Sequence, residues 1–155
     1  MSFVPSTYLA LPASGGCQCG AVRYEISEAP VDANYCHCRM CQRALGAPFG
    51  AFATVKREHF RFSEGEPAYF ASSSVARRGF CGKCGTPLTF EYTASKHISF
   101  TIGSFDEPDS ITPASHIGCE SQVSWLHILD DLPKDTTPFG AGTPTEGMDS
   151  YQSKL

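Results

Sequence analysis

Cys17-Gln18-Cys19, Cys36-His37-Cys38-Arg39-Met40-Cys41 and Cys81-Gly82-Lys83-Cys84 hold seven of the eight cysteines of this chain. Clusters this tight point to zinc, and the way they divide points to two kinds of zinc. A structural zinc closes its shell with four protein ligands; a catalytic zinc takes three and leaves one position to an outside ligand. The outer pairs, Cys17 with Cys19 and Cys81 with Cys84, make a set of four, and the central Cys36, Cys38 and Cys41 make a set of three. Two zinc ions per chain, one structural and one catalytic, are therefore expected from these seven residues.

Each pair has a local reason to aim both sulfurs at one ion. In Cys81-Gly82-Lys83-Cys84-Gly85 a tight turn does so, with glycines supplying the backbone conformations. In Cys17-Gln18-Cys19 the reading is an extended strand, whose alternate side chains share a face. Two other readings of the pairs remain. Disulfides are one, although cysteines a single residue apart are poorly placed to bridge each other. A redox role for Cys81 and Cys84 is the other, although no βαβ pattern surrounds them. For the triplet, spacing alone also admits a second structural zinc completed by Cys119 or a histidine. Three thiolates leave a zinc shell with net charge near −1, which suits binding a thiolate or a substrate oxygen better than generating hydroxide.

The rest of the chain bounds what such centres can serve. Its 155 residues suit one domain, and 41% hydrophobic with 18% charged residues describe an ordinary globular protein. The formal charge of −4 becomes more negative once the ligating thiols ionise, so no electrostatic footprint for nucleic acid is present. Basic residues Arg39, Arg43, Arg77, Arg78 and Lys83 lie beside the cysteine clusters. Arg39 and Arg43 are candidates for holding a carboxylate of an anionic substrate. No apolar stretch is long enough to span a bilayer, and the N-terminus does not read as a secretory signal. A reducing cytoplasm is the expected compartment, where cysteine clusters hold metal more often than they form disulfides.

Short β-propensity runs separated by turn residues make the domain mainly β, with few short helices. Strands are expected at Ala21–Ile26, Phe49–Val55, Phe60–Phe62, Ala68–Ala71, Arg77–Cys81, Thr86–Tyr92 and His97–Ile102. The last two form the most regular pair, joined by a hairpin loop. A short helical turn is expected within 36–46, ended by Gly46 and Pro48. Residues 1–13 read as an irregular lead-in, 14–134 as the zinc-binding domain and 135–155 as a mobile tail with little to bury. His37, lying between two presumed ligands, and His116 read as packing or hydrogen-bonding residues. Cys119 reads as a lone cysteine outside both sites.

Gly16-Cys17-Gln18-Cys19-Gly20-Ala21-Val22, Cys36-His37-Cys38-Arg39-Met40-Cys41-Gln42-Arg43 and Phe80-Cys81-Gly82-Lys83-Cys84-Gly85-Thr86-Pro87-Leu88 together resemble the glutathione-dependent formaldehyde-activating enzyme family, which also includes centromere protein V. Ile102-Gly103-Ser104-Phe105-Asp106, and His116-Ile117 with Trp125, resemble later marks of that family. The resemblance runs from about residue 14 to 134. It implies an Mss4-like fold of short antiparallel sheets around a structural zinc. It assigns that zinc to Cys17, Cys19, Cys81 and Cys84, and a catalytic zinc to Cys36, Cys38 and Cys41. The activity it implies is a carbon–sulfur lyase reaction on S-hydroxymethylglutathione, or its condensation from glutathione and formaldehyde. A small-molecule thiol or thiol–aldehyde adduct is then the expected partner, without nucleic acid or membrane. One departure concerns the substrate: relatives often carry a basic residue shortly before the tryptophan, where this chain has Ser121-Gln122-Val123-Ser124-Trp125. The competing class is a non-enzymatic zinc-stabilised binding module.

Overall fold

The computed structural model describes residues 9–137 and 143–148. Its strands form two sheets. The smaller is antiparallel, in the order β1 (Ala13–Gly16), β2 (Arg23–Ile26), β5 (Phe60–Glu64). The larger contains β3 (Asp32–Cys36), β4 (Gly50–Lys56), β6 (Ala68–Ala71), β7 (Ala76–Phe80), β8 (Pro87–Tyr92), β9 (His97–Thr101) and β10 (His116–Ile117), in the order β10-β3-β4-β9-β8-β7-β6. Its parallel strand pair is β10 with β3, where Ile117 stands opposite Cys36. The α-helix among the described residues is α1, Arg39–Leu45, closed by Gly46 in the left-handed conformation.

Alternation along the central strands decides where the core and the site lie. β4 and β9 bury Ala53, Val55, Ile98 and Phe100 in one cluster with Tyr24 and Ile26 of the small sheet. Tyr24 is fully buried, and its hydroxyl shares a 2.8 Å hydrogen bond with Ser104 Oγ. The intervening residues Phe52, Thr54, His97 and Ser99 line a cavity instead. A second cluster gathers there, in which Phe52 meets Cys36, Cys38 and Cys41 while Met40, Phe90 and Ile117 pack against it. The central strands therefore turn an apolar face toward the core and a mixed one, Phe52 with Thr54, His97 and Ser99, toward the site.

Every expected strand forms, with ends displaced by one or two residues, and the expected helical turn is α1. Three strands were not foreseen: β1, which begins within the expected lead-in, β3 and β10. β3 reads Asp-Ala-Asn-Tyr-Cys and lacks a β-branched run, so its pairing with β4 rather than its own propensity makes it a strand. β10 is two residues long and is held as a strand by parallel pairing with β3 on one side and a bridge to Lys134 on the other. Cys17 and Cys19 also sit differently from the strand reading. β1 ends at Gly16, and the pair lies in a turn closed by Gly20 N–H donating to the Cys17 carbonyl at 3.0 Å. Gly20, at φ 78, supplies the left-handed residue that turn needs.

β1 begins at Ala13, inside the expected lead-in, and residues 1–8 lie outside the described residues. Most of the expected tail also lies outside them. Of its described part, Thr137 donates its backbone N–H to Glu120 Oε2 at 3.1 Å, and Thr145 is buried.

Gly118 marks the tightest point between the C-terminal chain and the central cysteines. It has φ 65, and a Cβ there would stand 2.7 Å from the backbone nitrogen of Cys38. Gly118→Ala is expected to cost about 2–4 kcal/mol from left-handed strain plus overpacking. Denaturant unfolding of the variant, beside a Gly103→Ala control whose Cβ meets nothing within 4 Å, measures it.

Candidate metal centres and reactive cavity

The first centre is built from two facing turns. The Cys81 turn closes by Gly85 N–H donating to the Cys81 carbonyl at 2.8 Å, with Gly85 at φ 77. It meets the Cys17 turn through Gln18 N–H, which donates to Thr86 Oγ1 at 3.1 Å. The ligand atoms of Cys17, Cys19, Cys81 and Cys84 all lie within 4.8 Å of one another. Cys17 Sγ is 3.6 Å from Cys19 Sγ, which is 3.7 Å from Cys81 Sγ. A tetrahedral thiolate shell with metal–sulfur bonds of about 2.3 Å needs sulfurs about 3.8 Å apart, so the four fit a metal ion. Val22 N–H donates to Cys17 Sγ at 3.3 Å, and Thr86 Oγ1 lies 3.1 Å from Cys84 Sγ. Thr86, first through its hydroxyl, lowers the Cys84 thiol to about 5. Cys84 is thus ready to ligate as thiolate.

The second centre grows from the junction of β3 and α1. Cys36 ends β3, and Cys38 caps α1, its sulfur accepting the Cys41 N–H at 3.4 Å. The first turn of the helix then brings Cys41 back beside both. The three sulfurs are buried and lie within 4.8 Å of one another, Cys36 to Cys38 at 3.4 Å. Crowded thiols cannot all ionise alone. Cys38, Cys41 and burial push Cys36 up. Cys36 and Cys38, aided by the Arg78 guanidinium, hold Cys41 well below its usual value against the effect of burial. A divalent cation removes the conflict by neutralising the thiolates together.

Arg78 is the cation at this centre. It is buried, donates from Nη2 to Cys41 Sγ at 3.3 Å and from Nε to Ser72 Oγ at 3.0 Å, and lies 4.8 Å from the centre of the Phe90 ring. Sequence reading placed Arg78 among the basic residues but favoured Arg39 and Arg43, which adjoin the triplet in the chain. The structure places these two on α1, where Arg39 bonds the Gln42 side chain and Arg43 is exposed, and neither lines the cavity. Arg78 arrives through strand pairing, from a position 37 residues after Cys41. Only the alternation of Ala76 and Arg78 on β7 hinted at an inward side chain.

Behind the triplet a polar chain holds the turn. Asp130 accepts from His116 Nε2 at 3.1 Å; a carboxylate only accepts, so His116 Nδ1 is left to accept from His37 Nε2–H at 2.8 Å. Both imidazoles are buried, and His37 Nδ1 has no hydrogen-bond partner. Burial, then His116, lowers His37 below its ordinary value, which keeps it neutral. Gln42 Nε2 donates to the His37 carbonyl at 2.7 Å and the Ser121 carbonyl at 2.9 Å. Asp130 and Gln42 were not singled out in the sequence, and only the packing of distant segments reveals their part. Cys119 is half-buried and belongs to neither centre.

Cys36, Cys38 and Cys41 line a cavity of about 280 Å³ together with Arg78 and a largely apolar wall. The four-cysteine set does not line it. No helix among the described residues is long and apolar enough to cross a membrane.

The chain is similar to known proteins. Residues 12–121 match the family described as glutathione-dependent formaldehyde-activating enzyme. An uncharacterized lyase of Schizosaccharomyces pombe is 36% identical over 86 residues, 56% of this chain and 62% of that protein, so less than two thirds of its length is spanned. A putative glutathione-dependent formaldehyde-activating enzyme of Halomonas elongata is 24% identical over 91% of this chain and 94% of its own. The crystal structure of a Rhodobacter sphaeroides protein superimposes with a TM-score of 0.50 at 19% identity, covering 78% of this chain and 98% of that one, a likeness of fold alone.

The surroundings of the two centres predict different consequences for one substitution. Cys81→Ser opens the four-thiol shell and is expected to cost several kcal/mol, on the order of a lost structural metal. Cys38→Ser keeps the helix cap, because serine is a preferred N-cap, and is expected to change stability by no more than about 1 kcal/mol. Thermal melts with metal analysis decide it; equal destabilisation would make both centres structural.

Proposed function

The chain belongs to the glutathione-dependent formaldehyde-activating enzyme family, and from that premise we propose that it is a zinc-dependent carbon–sulfur lyase acting on the adduct of a thiol with an aldehyde. The family name and that of the Halomonas relative make S-hydroxymethylglutathione the first substrate to try. One observation carries the reading: three cysteines line a cavity while the four-cysteine set lies outside it. Zinc held by Cys36, Cys38 and Cys41 would supply a Lewis acid with affinity for sulfur, and Cys17, Cys19, Cys81 and Cys84 would hold a structural zinc.

In the cleavage direction the carbinol hydroxyl loses its proton to water and its oxygen electrons form the carbonyl bond. The carbon–sulfur pair departs with sulfur as thiolate; condensation is the reverse. Charge therefore gathers on sulfur, and the buried Arg78 guanidinium opposes it with a fixed positive charge. Ser72 and the Phe90 ring hold that group in place before the reaction, so little reorganisation accompanies it. The largely apolar wall screens that charge poorly and so strengthens the interaction. In this proposal Arg78 takes the anion-holding role expected of Arg39 and Arg43. The His37–His116–Asp130 chain fixes the Cys36–Cys38 turn and moves no proton of the substrate. Ligands that must stay reduced suit the cytoplasm.

Two measurements test the reading. Graded chelation followed by elemental analysis is expected to remove metal first from the three-cysteine centre, with lyase activity falling in step; loss of activity only with unfolding would sink it. Arg78→Met is expected to lower kcat/KM about ten- to hundredfold, the worth of one charged hydrogen bond, and Arg78→Lys less.

A further inference from the structure

The cavity beside Cys36, Cys38 and Cys41 has a chemistry that the family name does not describe. Its wall includes Met40, Phe52, Ala76, Phe90, Ile117 and Met148, all apolar. Several of the polar groups that line it are already engaged, while Tyr92 and the exposed His97 also contribute to the lining. Thr54 Oγ1 and Ser99 Oγ share a hydrogen bond at 2.9 Å, and Asn34 Nδ2 donates to Asp32 at 2.7 Å. Glu91 is buried and paired with Arg57 and Arg77. Arg78 is committed to Ser72 and Cys41.

Resting on the reading that this cavity is the reactive site, we infer that it receives a compact, uncharged apolar substituent of the thiol–aldehyde adduct, an alkyl or aryl group. The body of a tripeptide such as glutathione carries two carboxylates and an ammonium. Inside this wall they would meet one guanidinium already in use and the exposed His97, and a carboxylate set deep against the apolar side chains would lie buried and unpaired, which is strongly unfavourable. A hydroxymethyl group, at the other extreme, is far too small. The volume of about 280 Å³ corresponds to the liquid volume of about nine waters. A pentyl or benzyl group together with the adduct's sulfur, carbinol carbon and oxygen, about eight to ten heavy atoms, fills such a space, and each methylene moved from water into it strengthens binding about fourfold. The substituent can sit on sulfur or on the carbinol carbon, and both placements present the same chemistry to the wall.

Calorimetric titration of the metal-loaded protein with linear alkanethiols from ethanethiol to pentanethiol, and with glutathione, tests the inference without relying on turnover. Affinity is expected to rise about fourfold per added methylene until the cavity is full, with a negative heat-capacity change. Glutathione is expected to bind at least about tenfold more weakly than pentanethiol. Affinity independent of chain length, or glutathione binding tightest, overturns the inference and leaves the lyase reading standing. No binding by any thiol overturns the lyase reading and this inference with it. Met148→Glu, at a half-buried position of the wall, is expected to weaken pentanethiol about tenfold and leave glutathione unchanged; Ile117→Asn gives the same contrast from the opposite segment. If neither variant discriminates between the two thiols, the wall is not the recognition surface and the inference falls. Turnover then assigns the side: the formaldehyde adduct of pentanethiol preferred places the apolar group on sulfur, and the hexanal adduct of glutathione preferred places it on carbon. Fastest turnover of the formaldehyde–glutathione adduct overturns the inference.

Discussion

Sulfurs carried by two turns, with Cys19 and Cys81 separated by 62 positions in the chain, must meet within a metal's reach, and the architecture follows from that meeting. Closing a chain loop of that length costs on the order of 4 kcal/mol in entropy. A structural zinc in thiolate ligands binds with an apparent ~10–16 kcal/mol, which exceeds the closure cost severalfold. Binding of such an ion would join the β1–β2 turn of the small sheet to the β7–β8 turn of the large one. The two sheets then have one way to stack, over Tyr24, Ile26, Leu88 and Phe100.

That stacking frees the opposite face of the large sheet. With one face of β4 and β9 committed to the core, Phe52, Thr54 and Ser99 face away from it and form the floor of the cavity. The central cysteines arrive there because β3 pairs with β4 and α1 folds back over its end. A buried polar chain supports the same turn from behind, running from Asp130 through His116 to His37. The two centres thus differ in surroundings more than in ligand chemistry. One is a junction between turns, with Cys19 and Cys84 exposed; the other is a buried triplet on a cavity wall.

A positive charge in that wall is the cavity's main electrostatic feature. Arg78 is buried against an aromatic face and bonded to a cysteine sulfur, so its charge acts in a medium that screens it poorly. Because it belongs to a strand rather than a loop, the pairing of β7 with β8 sets its position. A side chain so held favours charge developing on sulfur without first having to be ordered.

The sequence by itself determined the grouping of the cysteines into two outer pairs and one triplet, because ligand spacing is a local property of the chain. It also determined the β character of the regular runs, such as Thr86–Tyr92, because side-chain alternation is local too. The tertiary structure decided what no local rule reaches. Pairing made strands of Asp32–Cys36 and His116–Ile117, whose composition alone does not demand one. Left-handed Gly20 set Cys17 and Cys19 in a turn rather than on a strand. Packing also chose which arginine reaches the buried sulfurs: Arg39 and Arg43 are neighbours of the triplet in the chain, but the face of α1 that carries them turns from the cavity, while β7 brings Arg78 into it. Proximity along a chain follows bond by bond; proximity in space follows from which apolar faces must be buried together, and only the folded whole settles that.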